Sequence, residues 1–456
     1  MDYRKFIEAR RFTDFKSGFV VDDSWLNAGL KQHQRYIVKW ALAKGRAAVF
    51  ADTGLGKSRV MSEWGLHVAA QTGGRVIFLS PLAVAHQTIK EAAHVGVDLH
   101  YRRHDTGEMF IITNYEMAHN FDMSQFSGVV LDESSILKNF DGKMRQLLSS
   151  AVQTVPYRLS CSATPSPNDH MELGTQSEFL GVMSRAEMLG MFFQHDGKNS
   201  SQWALKGHGR RRFWEWMSTW AVCIRTPEDL GLDGTEYILP PLKIHYHELP
   251  TDYPIANTLT ERRGAKNASM VERVAVASLL VNSSRDTWVV WCHRNAESEQ
   301  LTVLIPDAVE VTGSMPVDDK ERRLMEFGAG QHRVLVTKPS IAGFGMNWQH
   351  CSNVVFVGLT DSFEEFYQTI RRCYRFGQTK NVTVHCFLSS AEIRVIENLN
   401  RKEKQHHELS AELLQYMKAH MVSQVVGTHR EYTEYTPTQN VIIPELIKEN
   451  IEYAML

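Results

Sequence analysis

The sequence of 456 residues predicts an α/β protein in which two parallel-sheet lobes flank a cleft, with a helical insertion between them. Short apolar segments alternate with helical patterns in both halves of the chain, which is typical of a parallel sheet covered on both faces. This pattern is interrupted before Pro240–Pro241 and resumes after that linker. We therefore expect lobes over 1–180 and 241–390, the insertion over 181–240, and a C-terminal helix and tail over 391–456.

Each lobe has its own series of predicted elements. The first series begins with an amphipathic helix over Leu30 to Leu42. Its predicted strands are residues 47–50, 75–80, 109–113, 126–131 and 157–160. The second series contains a predicted helix over 270–281 and strands over 243–248, 288–292, 309–311, 333–337, 353–357 and 382–387. Ligands of such sheets bind at the carboxyl ends of the strands.

Composition indicates an ordinary globular protein. The net charge is −2, so any nucleic-acid binding has to come from a local basic surface. The six cysteines are scattered without a CxxC pair, which argues against a zinc site or a disulfide framework and favours buried thiols. No apolar run is long enough to cross a bilayer, and the charged N-terminus lacks the apolar core of a signal peptide. We expect a cytoplasmic protein without membrane contact.

The stretch from Ala47 to Ser58, AAVFADTGLGKS, has the form of a phosphate-binding loop. A short apolar strand leads into Gly54 and Gly56, and a helical pattern follows. Backbone N–H groups at the start of that helix point at phosphate oxygens, and the helix dipole favours their negative charge. Lys57 would reach the β- and γ-phosphates of ATP, and Ser58 would be a ligand of Mg²⁺. The alternative is a glycine-rich turn before an ordinary helix.

A pair of carboxylates, Asp132 and Glu133, directly follows the strand predicted over 126–131. One carboxylate of such a pair holds Mg²⁺, and the next orients and deprotonates the attacking water. An acidic pair at a helix N-terminus is the alternative, because acids favour that end of the helix dipole. The phosphate loop upstream favours the catalytic interpretation.

The second lobe has no phosphate loop, and its chemistry lies in YQTIRRCYRFGQ, Tyr367 to Gln378. Arg372 and Arg375 are three residues apart and share a face of a predicted helix. Two guanidinium groups on one face can stabilise charge that develops on a γ-phosphate, as arginine fingers do. A basic surface helix is the alternative.

The stretch GHGRRRFWEWMSTW at 207–220 combines arginines with aromatic residues. Arg210, Arg211 and Arg212 could grip a phosphate backbone, and the neighbouring rings could stack on bases or sugars. The alternative is a helix whose tryptophans form a core stripe and whose arginines face solvent.

Together these motifs resemble those of superfamily two helicases, and specifically of the Snf-type DNA-translocating ATPases. LKQHQ resembles that family's adenine-reading segment, ADTGLGKS its DEMGLGKT, TNYE its ITTYE, and DESSILKN its DEAHRLKN. LSCSATPSPN is similar to LTGTPIQN, TKPSIAGFGMNW to STKAGGLGLNL, and QTIRRCYRFGQTK to QAIDRAHRIGQTK. The resemblance covers about residues 30–405, and the chain's size suits the small stand-alone bacterial and viral members.

The resemblance implies two RecA-like lobes with ATP and Mg²⁺ in the cleft between them, and duplex DNA as the track. The catalytic residues it implies are Lys57, Asp132, Glu133, Arg372 and Arg375. Nucleotide contacts are expected from Gln34, Thr53, Gly54, Gly56, Lys57, Ser58, Gly345 and Gln368, with Ser58 and Asp132 on the metal. Nucleic-acid contacts are expected near Ser80, Thr113, His293, Arg294, Thr337, Lys338, Arg210, Arg211 and Arg212.

Three positions depart from the expected motifs. Ala51 stands where phosphate loops have their first glycine, and Ser135 stands for a His that links the hydrolysis site to the neighbouring lobe in the family. Ala163 gives the SAT triplet of other superfamily two branches, which favours an alternative function, a strand-separating helicase on DNA or RNA. Ser135 supports a second alternative, a nucleotide-gated binding module with little hydrolysis. The tail 428–456 is expected to dock on the lobes or to bind a protein partner.

Overall fold

The computed structural model describes residues 17–138, 151–165, 170–196, 199–342 and 346–404, together with residues 408, 411, 414 and 415. Within these residues lie two parallel sheets, of seven and six strands, and one antiparallel hairpin. The two parallel sheets confirm the predicted α/β class with two RecA-like lobes. Gly345 and the tail 428–456 lie outside the described residues, so the expectations for them stay predictions.

Strands and helices are numbered in chain order. The described strands are β1 (Arg46–Ala51), β2 (Arg75–Ser80), β3 (His100–Tyr101), β4 (Phe110–Asn114), β5 (Phe126–Leu131), β6 (Tyr157–Ser162), β7 (Phe193–Asp196), β8 (Asn199–Leu205), β9 (Ala221–Ile224), β10 (Leu242–Leu249), β11 (Trp288–Trp291), β12 (Ala308–Val311), β13 (Val334–Thr337), β14 (Asn353–Val357) and β15 (Val382–Ser389). The described α-helices are α1 (Gln32–Lys44), α2 (Lys57–Thr72), α3 (Leu82–Ala93), α4 (Leu173–Leu180), α5 (Arg185–Phe192), α6 (Arg210–Ser218), α7 (Leu259–Ala268), α8 (Met270–Asn282), α9 (Asn295–Leu304), α10 (Val317–Gly328), α11 (Pro339–Ala342) and α12 (Phe363–Ile370). Residues 393–404 are also helical.

The first sheet has the order β3-β4-β2-β5-β6-β1-β9, and every neighbouring pair is parallel. All five strands predicted for this lobe are present, because continuous apolar runs can be buried on both faces of a sheet. Strand β9 falls within the residues predicted as the insertion, yet it pairs with β1 in the register Ala48 to Ala221. The order brings the carboxyl ends of β1 and β5 to either side of β6, where ligands of such sheets bind.

The second sheet has the order β10-β15-β14-β11-β13-β12 and is also entirely parallel. Its six predicted strands and the predicted helix, which is α8, are confirmed with shifts of one or two residues at their ends. The central strands β11, β13 and β14 are almost completely buried. This sheet therefore forms the core of a separate lobe.

Helix α6 separates its arginines from its aromatic residues. Trp214 and Trp216 are at most 2% exposed and pack in the core of the first lobe, as does the following Trp220. Arg211 and Arg212 are exposed on the opposite face. The core-stripe interpretation is therefore correct for the tryptophans, whose rings are not available to stack on bases.

Two expectations from composition can be compared with the described residues. All six cysteines lie within them and are buried, which confirms the predicted burial of the thiols. None of the described helices combines the length and the apolar composition that a bilayer span needs.

Candidate nucleotide site between the lobes

The loop between β1 and α2 requires glycine at two positions. Gly54 and Gly56 have φ values of 90° and 77°, in the left-handed region that side chains rarely adopt. A Cβ atom at Gly56 would lie 2.2 Å from Gln34 Nε2, and one at Gly54 would lie 2.8 Å from Phe376 Cβ. The first contact is within the lobe and the second reaches across to the other lobe. The loop is therefore packed from both sides.

Gln34 supports this loop from helix α1. Its Nε2 donates to the Leu55 carbonyl oxygen over 3.0 Å, and its Oε1 accepts the Lys31 N–H over 2.9 Å. His33 Nε2 lies 3.1 Å from the same Leu55 oxygen, and burial lowers the pKa of His33, which keeps its ring neutral. Gln34 lines the pocket described below. Its expected role in reading adenine stays a prediction.

Lys57 and Asp132 face each other at the carboxyl ends of β1 and β5. Lys57 Nζ donates to the Ala51 carbonyl oxygen over 2.9 Å. Asp132 Oδ2 accepts hydrogen bonds of 3.3 Å from the hydroxyl groups of Ser80 and Thr88. Burial, and next the charge of Glu133, raise the pKa of Asp132 to about 6, whereas Lys57 acts in the opposite direction. Burial and Glu133 therefore make the ionised form of Asp132 less favourable than in water, and a bound cation would stabilise that form.

Glu133 combines an unusual backbone with an unpaired oxygen. Its φ of 52° is the only positive value among the described residues other than glycine. Its Oε2 is buried and has no hydrogen-bond partner among the described residues. Strained backbone and orphaned buried polar atoms both concentrate at functional sites. The geometry of Glu133 fits a side chain that acts on a bound molecule.

Arg372 and Arg375 come from the second lobe, but they do not share a helix. That prediction is wrong, because α12 ends at Ile370 and both arginines lie in the turns that follow. Their Nη1 atoms donate to one acceptor, the Met346 carbonyl oxygen, over 3.3 and 3.1 Å. Burial lowers the pKa of Arg372 to about 10 and also lowers the pKa of Arg375. The negative charge of Glu133 opposes this shift in both arginines. Arg372 therefore stays charged at neutral pH.

These residues meet in one cavity of about 220 Å³ between the lobes. The first lobe contributes Lys31, Gln34, Thr53, Gly54, Gly56, Lys57, Ser58, Asp132 and Glu133, among others. The second lobe contributes Asn347, Gln349, Arg372, Arg375 and Phe376. The cavity thus brings the phosphate loop and the two arginines to the same space. Tyr237 also lines it and stacks on Phe376, with ring centroids 4.6 Å apart.

Gln368 lies beside the cavity rather than in its lining. Its Nε2 donates across the lobes to Thr164 Oγ1, in the SAT triplet, over 3.2 Å. Its Oε1 is buried without a hydrogen-bond partner among the described residues. Gln368 therefore connects the triplet to the second lobe directly.

The group that the motifs imply, Mg²⁺ with ATP, fits the polar groups of this cavity. Asp132 is a buried carboxylate with a raised pKa, and carboxylate and hydroxyl oxygens such as that of Ser58 are the ligands that Mg²⁺ prefers. Lys57 and the start of α2 supply positive charge for phosphates. The orphaned oxygen of Glu133 gives a bound water a place to donate a hydrogen bond.

The expected nucleic-acid residues fall into two groups. Ser80 and Thr337 are the last residues of β2 and β13, Thr113 is the penultimate residue of β4, and all three side chains are completely buried. Contacts near these three residues would therefore have to come from main-chain groups or from neighbouring side chains, and they stay a prediction.

The remaining expected residues lie at or near the surface. His293 and Arg294 follow β11 and are partly exposed, and Lys338 follows β13 and donates to Asn295 Oδ1. Arg210, Arg211 and Arg212 are exposed on α6, where Arg211 also pairs with Glu215. Nucleic-acid binding by these residues stays a prediction.

Fold and cavity define a two-lobed α/β protein in which the glycine-containing loop before Lys57 lies in one lobe and the facing arginines come from the other. Residues 272–377, within the second lobe, match the family model described as the helicase conserved C-terminal domain. This part of the chain is therefore similar to helicase C-terminal domains, which supports the helicase part of the resemblance. The chain is also similar to the solved structure of the Sulfolobus solfataricus SWI2/SNF2 ATPase core in complex with dsDNA. The sequence identity is 15%, the TM-score is 0.42, and the alignment covers 89% of this chain and 99% of that one.

Proposed function

We propose that this chain is an ATP-driven nucleic-acid motor and, more specifically, a translocase on double-stranded DNA. The observation that carries the proposal is the single cavity lined by Lys57, Asp132 and Glu133 from one lobe and by Arg372 and Arg375 from the other. The match of residues 272–377 to the helicase C-terminal domain supports a nucleic acid as the partner. The resemblance of the second-lobe motifs to those of the duplex-translocating branch supports DNA duplexes.

In the first lobe, the phosphate loop binds the triphosphate. Lys57 and the N–H groups in the first turn of α2 contact phosphate oxygens, and Ser58 and Asp132 would hold the metal ion. The metal ion, when bound, neutralises phosphate charge. Glu133 orients the attacking water and accepts its proton.

In the second lobe, Arg372 and Arg375 act on the charge that develops on the γ-phosphate. The Met346 carbonyl oxygen holds both guanidinium groups, so they enter the site together when the lobes close. Hydrolysis then depends on the distance between the lobes. This dependence lets each turnover move one lobe relative to the other.

Translocation requires that each lobe has its own contact with the track. The exposed arginines of α6 serve the first lobe, and Arg294 and Lys338 serve the second. Contacts of this kind bind phosphates and carry no sequence information. Binding is therefore expected to be independent of sequence and to weaken steeply with salt.

The test is a titration of ATP turnover with matched duplex DNA, single-stranded DNA and RNA at low salt. We expect duplex DNA to raise turnover most, and Glu133→Gln to abolish the increase. A larger increase with single strands, accompanied by unwinding of a forked duplex, would establish the strand-separating helicase instead. Nucleotide binding without ATP turnover, both in the unsubstituted protein and in Glu133→Gln, would establish a nucleotide-gated binding module.

A further inference from the structure

An ion pair joins the two lobes beside the nucleotide cavity. Arg371 Nη2 bonds to Asp52 Oδ2, and the Tyr367 hydroxyl donates to Asp52 Oδ1 over 3.2 Å. Arg371 also donates from Nε and Nη2 to the Tyr367 oxygen over 3.1 and 2.9 Å, which closes a triangle of contacts. The side chains of Asp52 and Arg371 are only 18% and 13% exposed. Water therefore screens this pair less than it screens a surface ion pair.

Each end of this triangle is one residue away from the proposed machinery. Asp52 Oδ1 also accepts the N–H of Thr53 over 2.6 Å, and Thr53 lines the cavity. Arg371 directly precedes Arg372 in the turn that follows α12. Asp52 and Arg371 themselves are not among the residues that line the cavity. The contact thus connects the phosphate loop to the arginine turn without touching the space for the nucleotide.

The electrostatics of the pair favour the closed arrangement. Burial lowers the pKa of Arg371, but the charge of Asp52 and the contact with Tyr367 outweigh burial, so its pKa is raised overall. Separation of the lobes would leave each charge without this partner. Since this attraction outweighs the loss of hydration of Arg371, the pair favours the arrangement in which the lobes are together.

We propose that Asp52, Arg371 and Tyr367 form an interlobe latch that positions Arg372 above the phosphate loop. The inference rests on the proposed function, and it makes Asp52 and Arg371 positioning residues for that same site. Nucleotide binds to the first lobe whether or not the latch is formed. Turnover requires the latch, because it keeps the second-lobe arginines at the distance that hydrolysis needs.

The test is a double-mutant cycle of Arg371→Gln and Asp52→Asn, measured as duplex-stimulated ATP turnover. Asn at position 52 keeps an oxygen that accepts the Thr53 N–H, so the loop turn is preserved. We expect each single variant to lower kcat by about 10- to 100-fold, since misplacement by 1 Å can cost about a hundredfold. The double variant should be no slower than the slower single variant, because the two residues act as a unit. KM for ATP should change by less than about threefold, because binding to the first lobe is kept.

Three results would overturn the latch: an unchanged kcat, a KM that rises in proportion to the loss of turnover, or losses that simply add in the double variant. The matched control is Arg75→Gln with Asp105→Asn. That Arg–Asp pair has side chains 21% and 31% exposed, lies within the first lobe, and is at the opposite end of β2. The control substitutions should leave kcat unchanged.

If Arg371→Gln does not fold, a second variant tests the latch. Tyr367→Phe removes one hydroxyl group and should still lower kcat several-fold.

Small-angle scattering of the nucleotide-free protein separates failure of the latch from failure of the proposed function. Arg371→Gln should have a larger radius of gyration than the unsubstituted protein and the Arg75 control. If the unsubstituted protein does not turn over ATP, the proposed function fails and scattering alone decides on the latch. If it is active, and Arg371→Gln neither loses turnover nor expands, the latch is wrong and the function stands.

Discussion

Two buried glutamates, one in each lobe, show how differently the lobes use the carboxyl ends of their strands. In the second lobe, Glu297 accepts from the guanidinium of Arg273 over 3.1 Å and from the N–H groups of His293 and Arg294 over 3.0 and 3.1 Å. In the first lobe, Glu133 has a buried oxygen without a partner and a left-handed backbone. The groups around Glu297 satisfy its carboxylate, whereas Glu133 lies in the cavity with an oxygen that is free to accept a hydrogen bond from a bound molecule.

The same contrast extends to the positive charges. Arg273 is completely buried and satisfied within its own lobe, while Arg372 and Arg375 project from the second lobe into the cavity of the first. The second lobe thus uses Arg273 and Glu297 for its own structure, whereas Arg372 and Arg375 face its neighbour. Two sheets of the same kind therefore make one site rather than two.

The largest effect should follow from removal of the second lobe's contribution. Arg372→Gln is expected to lower single-turnover ATP hydrolysis by about 10³-fold or more, the range that arginine fingers supply. Affinity for a fluorescent ATP analogue should change little, because the phosphate loop is intact. The control is Arg322→Gln, an exposed arginine of α10 whose side chain is 57% exposed. A loss of less than about tenfold would show that the second lobe does not take part in hydrolysis.

The pair of glutamates offers the sharpest test of the comparison. Glu133→Gln should lower turnover by about a hundredfold or more, as expected for loss of a general base, with little change in the free energy of unfolding. Glu297→Gln should do the reverse and lower the free energy of unfolding by about 3–5 kcal/mol, because it breaks a buried ion pair. Urea unfolding and ATP turnover of both variants check this. Equal effects of the two substitutions on stability would remove the distinction.

A smaller effect concerns pH. The pKa of Asp132 is raised from its ordinary value to about 6, so the folded protein binds a proton there that the unfolded chain releases between about pH 4 and 6. Stability should fall as the pH rises through this window, and the full cost of an ionised Asp132 is present above it. Asp132→Asn should therefore stabilise the nucleotide-free protein by about 2–3 kcal/mol at pH 7.5, and the gain should vanish near pH 4. Thermal unfolding at several pH values measures this, and a gain independent of pH would contradict it.

Local pattern was sufficient for most of the fold. Every predicted strand is present because long apolar runs identify strands covered on both faces. Strands β3, β7, β8 and β9 were not predicted. β3 has only two residues, and the other three lie in the region expected to be a helical insertion. The end of α12 was missed for another reason: the spacing of Arg372 and Arg375 fits a helix, and nothing in that spacing shows that it ends at Ile370.

Prediction of the residues around the cavity also depended on whether a local motif marks them. The shared location of Lys57 and Asp132 could be predicted because both follow strands of one parallel sheet, in motifs typical of phosphate and metal binding. Tyr237 carried no such signal, because its place in the cavity depends on how the lobes meet. Asp52 and Arg371 lie inside recognised motifs, but at positions where the motifs quoted above have Glu and Asp. Comparison of motifs passes over such residues, and only the packing of the lobes shows that they are partners.

The smallest expected effect addresses how the two lobes share the track. Arg212 on α6 and Lys338 after β13 are the surface cations that each lobe is proposed to place on phosphates. Arg212→Gln and Lys338→Gln should each weaken duplex affinity a few-fold for every sequence and reduce the slope of log K against log salt by about one. Fluorescence anisotropy at several salt concentrations measures both quantities, with Arg322→Gln as the control. If only one variant changes the slope, the DNA contacts only one lobe, and the proposal that each lobe has its own contact with the track is wrong.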